Sequence, residues 1–369
     1  MRILMWVRDA ESEVGGIERL VGQLSAALRK RGHQIGFVAD LLGHEAKARS
    51  DIDGMPVWRF GMTDALQRND ISEIFEIVSR IRTTIREFGA DIIHFHPSGP
   101  EGFLFLRVQS ALDVPVVTTV HMDLERVLIS GRHSALSAAF KASNRVVAIS
   151  EFAMKQIHRM IPGLTTVHAI INAIESQNEP YRESSGSRIL SLGRVVSDKG
   201  FDTLVAAMPA ILDGAPEASL VIGGDGPERA ALEEQAKSLG IANRIEFRGW
   251  IAPQDVCSEM RKAAVVAVPS RWQEPFGLVG LEGAWSGRPV VATRRGGLPE
   301  IVADGQTGLL VSHNDPKALS GAILSLLNNP DTARRMGQAA LARAQSLFSF
   351  DNFVDSHEKV YFELANLSG

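Results

Sequence analysis

The chain has 369 residues, 45% of them apolar and 22% charged, with a net charge of −4. That length exceeds one ordinary core, so two domains are expected, and the composition is that of a globular protein. The slight acidity, with no Lys/Arg-rich block, gives no reason to expect nucleic acid, and the single Cys257 rules out an intrachain disulfide.

One cysteine fits a reducing cytoplasm, and with no motif around it Cys257 reads as a small buried residue, not a nucleophile. No apolar run reaches the ~18 residues of a membrane span. Met1-Arg2-Ile3-Leu4 begins a strand instead of a signal peptide, so a cytoplasmic protein is expected.

The first half repeats one theme: a short apolar run, a polar loop, then a segment of helical period. The runs are Ile3–Val7, Gln34–Ala39, Asp91–His96, Val114–His121, Arg145–Ser150 and Thr165–Ile171. Continuous apolar strands of this kind are buried on both faces, and the helices between them imply a parallel, doubly wound sheet. Asn172–Arg188 has linker composition. The theme then restarts with Ile189–Leu192, Ser219–Gly223, Arg244–Arg248, Ala264–Pro269, Pro289–Thr293 and Gly308–Ser312. The expected architecture is α/β, with two Rossmann-like domains facing a cleft: residues 1–172, residues 173–348, and a last helix from residue 349 returning to the first domain. Ligands of such sheets sit outside the carboxyl ends of the strands.

The most informative stretch is Ser270–Ser286, where a strand leads into R-W-Q-E-P-F-G-L-V-G-L-E-G-A-W. A helix is expected over Phe276–Ser286, with Glu274 in the loop at its mouth and Glu282 about two turns inside. Eight residues at ~1.5 Å rise would separate their α-carbons by roughly 12 Å if all were helical. Carboxylates flanking one scissile glycosidic bond lie only ~5 to 9.5 Å apart. The pair therefore suits two ends of one extended ligand. Backbone N–H groups of Phe276, Gly277 and Leu278 at a helix N-terminus would welcome an anion between them. Hydroxyl-binding carboxylates beside a phosphate-binding helix end suggest a nucleotide-sugar.

Other motifs are weaker singly. Gly15 and Gly16 open the helix Ile17–Lys30 and would let backbone approach a phosphate, although an ordinary helix-entry turn looks the same. Arg194 and Lys199 place two cations between a strand end and a helix start, suiting a pyrophosphate or two solvated loop charges. Gly223-Gly224-Asp225-Gly226-Pro227 and Arg295-Gly296-Gly297-Leu298-Pro299-Glu300 follow later strands in the same way. His121 ends a strand, where site residues usually lie. His94 and His96 share one strand face. The three histidines could be metal ligands, but no carboxylate or cysteine completes a set, and His94 also suits a structural role bonded to backbone. The helix Ile71–Phe88 has an apolar stripe of Ile71, Ile74, Phe75, Val78, Ile81 and Ile85, with Arg80, Arg82 and Arg86 gathered late. Those arginines suit either the helix dipole or weak peripheral contact with the inner membrane face.

Together these motifs resemble the GT-B retaining glycosyltransferases of family 4 over nearly the whole chain, most specifically in E-P-F-G-L-V-G-L-E. The resemblance implies that Arg194 and Lys199 hold the donor diphosphate, that Glu274 with backbone at Phe276, Gly277 and Leu278 contacts the sugar, and that Glu282 binds the ribose. Ile251 would meet the base, Gly16 the phosphate from the other domain, and His121 the transferred sugar. It also implies a UDP-linked donor, a glycan, lipid-linked or small-molecule acceptor, and front-face retention without metal or cofactor. Where the family often has Asn-Gly-Val-Asp at the domain joint, this chain has Asn172-Ala173-Ile174-Glu175. The alternatives are a UDP-sugar epimerase or glycan phosphorylase on the same double fold, or a non-catalytic sugar-nucleotide-binding homologue. The acceptor loops, Leu41–Asp53, Pro97–Gly102 and Met122–His133, carry no motif that identifies an acceptor.

Overall fold

The computed structural model describes residues 1–10, 15–42, 47–98, 101–129, 134–175 and 186–367. The chain divides into two compact units, residues 1–172 with 351–369, and residues 173–350. Ala173 is buried and is not among the residues held at positive φ, so this joint does without the glycine conformation.

In the first unit the strands are β1 (Arg2–Trp6), β2 (Gln34–Asp40), β3 (Arg49–Ile52), β4 (Met55–Phe60), β5 (Ile92–Phe95), β6 (Val116–Val120), β7 (Arg145–Ala148) and β8 (Val167–Ala169), in the order β3-β4-β2-β1-β5-β6-β7-β8. All pairings are parallel except β3 with β4. Ile3, Leu4, Met5 and Trp6 are all fully buried, which is why β1 has no polar alternation. The β3–β4 hairpin takes up the end of the segment Leu41–Asp53, so residues 49–52 are strand and not loop, while residues 43–46 of that segment lie outside the described residues. Its two-residue turn puts Asp53 at φ 49° and Gly54 at φ 81°, the doubly positive conformation whose twist matches paired strands. Helix Ile71–Phe88 starts where Asp70 accepts a hydrogen bond from Glu73 N, and stops at left-handed Gly89. It buries Ile74, Ile77, Val78, Ile81 and Ile85, whereas Ile71 and Phe75 are exposed, so the true stripe is narrower than expected.

The second unit has β9 (Arg188–Leu192), β10 (Ser219–Gly223), β11 (Ile245–Gly249), β12 (Val265–Val268), β13 (Val290–Thr293) and β14 (Gly308–Val311), all parallel, in the order β11-β10-β9-β12-β13-β14. From β9 the chain winds outward through β10 and β11, then returns to the other side of β9 as β12. The winding therefore reverses between β9 and β12. In the first unit the same reversal falls between β1 and β5. At such a point the loops leaving neighbouring strands diverge and open a crevice.

The terminal helix, Phe350–Leu367, is part of the first unit from residue 351. Phe353, Val354, His357, Val360, Tyr361 and Leu364 are buried at three- and four-residue intervals, which makes one face. Arg31 and His33 bond Glu358 at 2.9 and 2.7 Å, and Tyr361 Oη lies 2.6 Å from His94 Nδ1.

That helix closes over a histidine cluster. His94, His96, His121 and His357 are buried, and burial holds all four below the ordinary imidazole range, His121 at about 3 and His357 at about 4. An unfolded chain takes up these protons near pH 6.5, whereas the folded one resists them. The stability carried by neutral rings is complete above that pH and is lost as pH falls toward the folded values. Each ring contributes up to ~1.4 kcal/mol per pH unit. Chemical denaturation should show stability falling from pH 7 to pH 4.5, with a shallower fall in His357→Leu.

Candidate functional site

The loops at the second unit's reversal are tied to one another. Gly193 and Arg194 follow β9, and Ser197–Lys199 forms one 3-10 turn. Ser270 to Gly277 follows β12. Between them, Arg271 N donates to Asp198 O at 2.8 Å, Arg271 Nη1 donates to Ser197 O at 3.1 Å, and the same guanidinium pairs with Asp202. The loop after β13 joins in, with Gly297 N donating to Glu274 O at 2.7 Å and Arg295 Nε to Arg271 O at 2.9 Å.

This scaffold holds a buried carboxylate. Glu274 accepts hydrogen bonds at Oε1 from Lys199 Nζ and from Ser270 Oγ, both at 2.6 Å. The ammonium also lies 5.4 Å from the Trp272 ring centroid. Lys199 and Glu274 are 75 residues apart in sequence, and the reversal between β9 and β12 brings them together. Ser270 and Trp272 lie in the stretch singled out in the sequence, which gives them no role of their own, and the fold sets both against Lys199 or Glu274. Arg194 is exposed and has no side-chain partner among the described residues.

Helix Leu278–Trp285 begins two residues later than expected, because Gly277 sits at φ 106° and cannot be helical. Glu282 is therefore just over one turn inside the helix, not two, and the wholly helical 12 Å span does not apply. Phe276 turns its ring inward, edge-on to Phe348 at 5.8 Å between centroids, leaving its backbone to the loop. Ile251 is half-buried, and a Cβ added at Gly223, the end of β10, would meet Ile251 Cδ1 and Leu192 Cδ2, each at 2.5 Å. Cys257 is half-buried, not fully, and its Sγ accepts from Ser286 Oγ at 3.6 Å.

Gly296 keeps the Glu274 loop in place. It sits at φ 58°, and an added Cβ would fall 2.0 Å from Glu274 O. Gly296→Ala should destabilise the second unit by about 2–4 kcal/mol, from left-handed backbone and overlap together, and should disturb Glu274. Denaturation followed by tryptophan fluorescence measures the first effect.

In the first unit, Gly16 is the first residue of helix Gly16–Lys30 and Gly15 its cap. Gly15 has φ 161°, extended backbone open to any residue, so its conformation does not explain the glycine. Residues 11–14 of that motif, like 99–100 and 130–133 of the acceptor loops, lie outside the described residues. His121, after β6, reaches back to β5, with Nε2 2.9 Å from His96 Nδ1. His94 bonds Thr119 Oγ1 at 2.7 Å and Tyr361 Oη at 2.6 Å through its two nitrogens. Its role is structural, through side chains instead of backbone, and neither nitrogen is left for a metal. Arg82 donates to the carbonyls of Val108 and Arg107, and Arg80 stacks over Phe60 at 5.4 Å and faces Glu76 at 3.7 Å. Two of the three arginines considered for membrane contact are thus engaged within the protein. No helix among the described residues is long and apolar enough to cross a membrane.

Comparison with known proteins assigns the family. The model for glycosyl transferases group 1 matches residues 174–343, and that for glycosyltransferase family 4 matches residues 14–177. The chain is 31% identical over 288 residues to an uncharacterized glycosyltransferase of Methanocaldococcus jannaschii, across 77% of this chain and 79% of that protein. Among solved structures it is similar to a sucrose-phosphate synthase from Thermosynechococcus elongatus, with a TM-score of 0.86, 23% identity and 98% of each chain covered. It is also similar to Anabaena Alr3699/HepE in complex with UDP, with a TM-score of 0.80, 20% identity, and 98% of this chain and 100% of that one covered. In sequence and in its pair of parallel-sheet units, the chain belongs to the group 1 glycosyltransferases of the GT-B fold.

Proposed function

We propose that the protein is a retaining glycosyltransferase that moves a hexose from a UDP-sugar to a hydroxyl of a glycan, lipid-linked or small-molecule acceptor. The observation that carries this reading is the Lys199–Glu274 pair at the reversal of the second unit's sheet. One partner suits a diphosphate and the other suits sugar hydroxyls, so one ligand holding both groups in sequence fits the pair. Arg194 joins Lys199 on the diphosphate, and Glu282 takes the ribose. Ile251 lies against the base, and backbone at Phe276, Gly277 and Leu278 lies along the sugar and phosphate. The UDP bound by the Anabaena neighbour supports the choice of base.

In the proposed step the acceptor oxygen attacks the anomeric carbon from the face the diphosphate leaves. The carbon–oxygen bond to the β-phosphate breaks, and a phosphate oxygen takes the acceptor's proton. Arg194 and Lys199 offset the charge gained by the leaving group. With two cations in that role, the step is proposed to need no metal, and activity should survive a chelator.

Thermal-shift screening against UDP, GDP, ADP and their sugars tests the donor. UDP and one UDP-sugar should give the largest stabilisation. Product NMR should then show the donor's anomeric configuration kept. A preference for GDP or ADP overturns the base assignment, and an inverted product overturns the mechanism.

A further inference from the structure

The first unit carries an uncovered apolar patch with cations set among its side chains. On helix Ile71–Phe88, Ile71 is 62% and Phe75 55% exposed. On helix Gly102–Gln109, Phe103 is 37% exposed. Arg107 joins the two helices, with its guanidinium 4.9 Å from the Phe103 ring centroid and 5.7 Å from that of Phe75. Arg82 ties them together by donating to the carbonyls of Arg107 and Val108. Large apolar side chains that are gathered in one place, instead of scattered singly, mark a surface that something covers.

The distribution of charge identifies what covers it. At about 100° per residue, Ile71, Phe75, Arg82 and Arg86 fall within about 60° of one another around the helix axis. Glu73, Glu76 and Glu87 fall about 140–200° from Ile71, on the far side. Helix Gly102–Gln109 contains no carboxylate. The acids beside the start of the patch are already paired, since Arg68 bridges Asp64, Asp70 and Glu73. Arg86 and Arg107 are exposed and meet no carboxylate among the described residues. The occupant must therefore be apolar and anionic over one broad area. A second copy of this chain does not qualify, because a two-fold contact across the patch sets these arginines against one another. A bilayer with anionic headgroups does. Its phosphates take the guanidinium groups, and its headgroup boundary takes the aromatic rings.

We propose that this flank, through Ile71, Phe75 and Phe103 with Arg86 and Arg107, seats the first unit on an anionic membrane surface. The contact is peripheral, with side chains entering the headgroup boundary. Arg80 has no part in it, lying about 180° from Ile71 and facing Glu76. The proposal does not rest on the transferase reading, and among the acceptors considered there it favours the lipid-linked one.

The test floats full-length protein with vesicles of phosphatidylcholine, alone or in equimolar mixture with phosphatidylglycerol. No donor or acceptor is present, so the outcome is separate from catalysis. The wild type should float with the anionic vesicles only, and added salt should release it. Arg86→Gln with Arg107→Gln should lower the partition coefficient about 30-fold. Phe75→Ser with Phe103→Ser should lower it by about tenfold or more. Arg80→Gln, which removes a cation from the opposite flank, should bind as the wild type does. No flotation with anionic vesicles at low salt, or as large a loss from Arg80→Gln as from the Arg86 and Arg107 pair, overturns the proposal. Sedimentation velocity without lipid should show no dimer that depends on the patch. A dimer that Phe75→Ser with Phe103→Ser dissociates means that a second copy covers it, and overturns the proposal too. Should a double variant fail to fold, hydrogen exchange of the wild type decides. Anionic vesicles should slow exchange in helices Ile71–Phe88 and Gly102–Gln109, and unchanged exchange in both rules the membrane out.

Discussion

Lys199→Ala is expected to weaken UDP binding by about 2–3 kcal/mol, or roughly 30- to 150-fold, while uridine binding changes little. The selectivity follows from charge, since only the diphosphate presents oxygens to an ammonium. A second effect comes from Glu274, which lies buried with Lys199 as its cation and Ser270 as its neutral donor. Removing the lysine leaves that carboxylate with a hydroxyl alone, so the variant should also lose stability. Arg194→Ala separates the two effects. Arg194 is exposed and has no side-chain partner among the described residues, so it should lose UDP affinity at little cost in stability. Calorimetry with UDP and uridine, beside denaturation of both variants, makes the comparison. Equal losses for UDP and uridine would remove Lys199 from the diphosphate.

The parallel strands were legible because a strand buried on both faces is a continuous apolar run, as in Ile3–Trp6 and Val265–Val268. Where burial is partial, that signal fails. Arg49–Ile52 alternates between exposed and half-buried and carries polar residues, so the hairpin was missed although Asp53-Gly54 is a turn signature. Ile71 and Phe75 looked like core by spacing but sit at the flank of their helix, where the Arg107 guanidinium lies 5.7 Å from the Phe75 ring. The helix after Pro275 was begun too early, because sequence does not show that Gly277 takes positive φ. For the candidate site, the loops after strands were visible as motifs, but the strand order was not. That order decides that the turn at Lys199 and the loop at Glu274 adjoin. The bond of His96 to His121 was likewise hidden, since period-two alternation shows which face a residue shares and not what it touches.

Glu274→Gln and Glu282→Gln should fail in opposite ways. If Glu282 grips the ribose, the amide keeps its shape but loses a charge-assisted acceptor. Donor and free UDP should then both bind more weakly, by ~1.5–3 kcal/mol. Glu274→Gln should behave otherwise. Neutralising Glu274 releases Lys199 from its ion pair, so free UDP should bind at least as well as in the wild type. If Glu274 holds the sugar hydroxyls and so orients the transferring carbon, losing those contacts should lower turnover by about 100-fold. A pair of glutamates acting as a hydrolytic acid and base predicts a third pattern, with chemistry abolished by either change and UDP affinity untouched by both. Calorimetry with UDP and product release from the UDP-sugar distinguish the three. If Glu282→Gln binds UDP as tightly as the wild type, Glu282 is not at the ribose. The donor would then not extend along the helix from Glu274, and the placement of the nucleotide in the second unit would have to be abandoned.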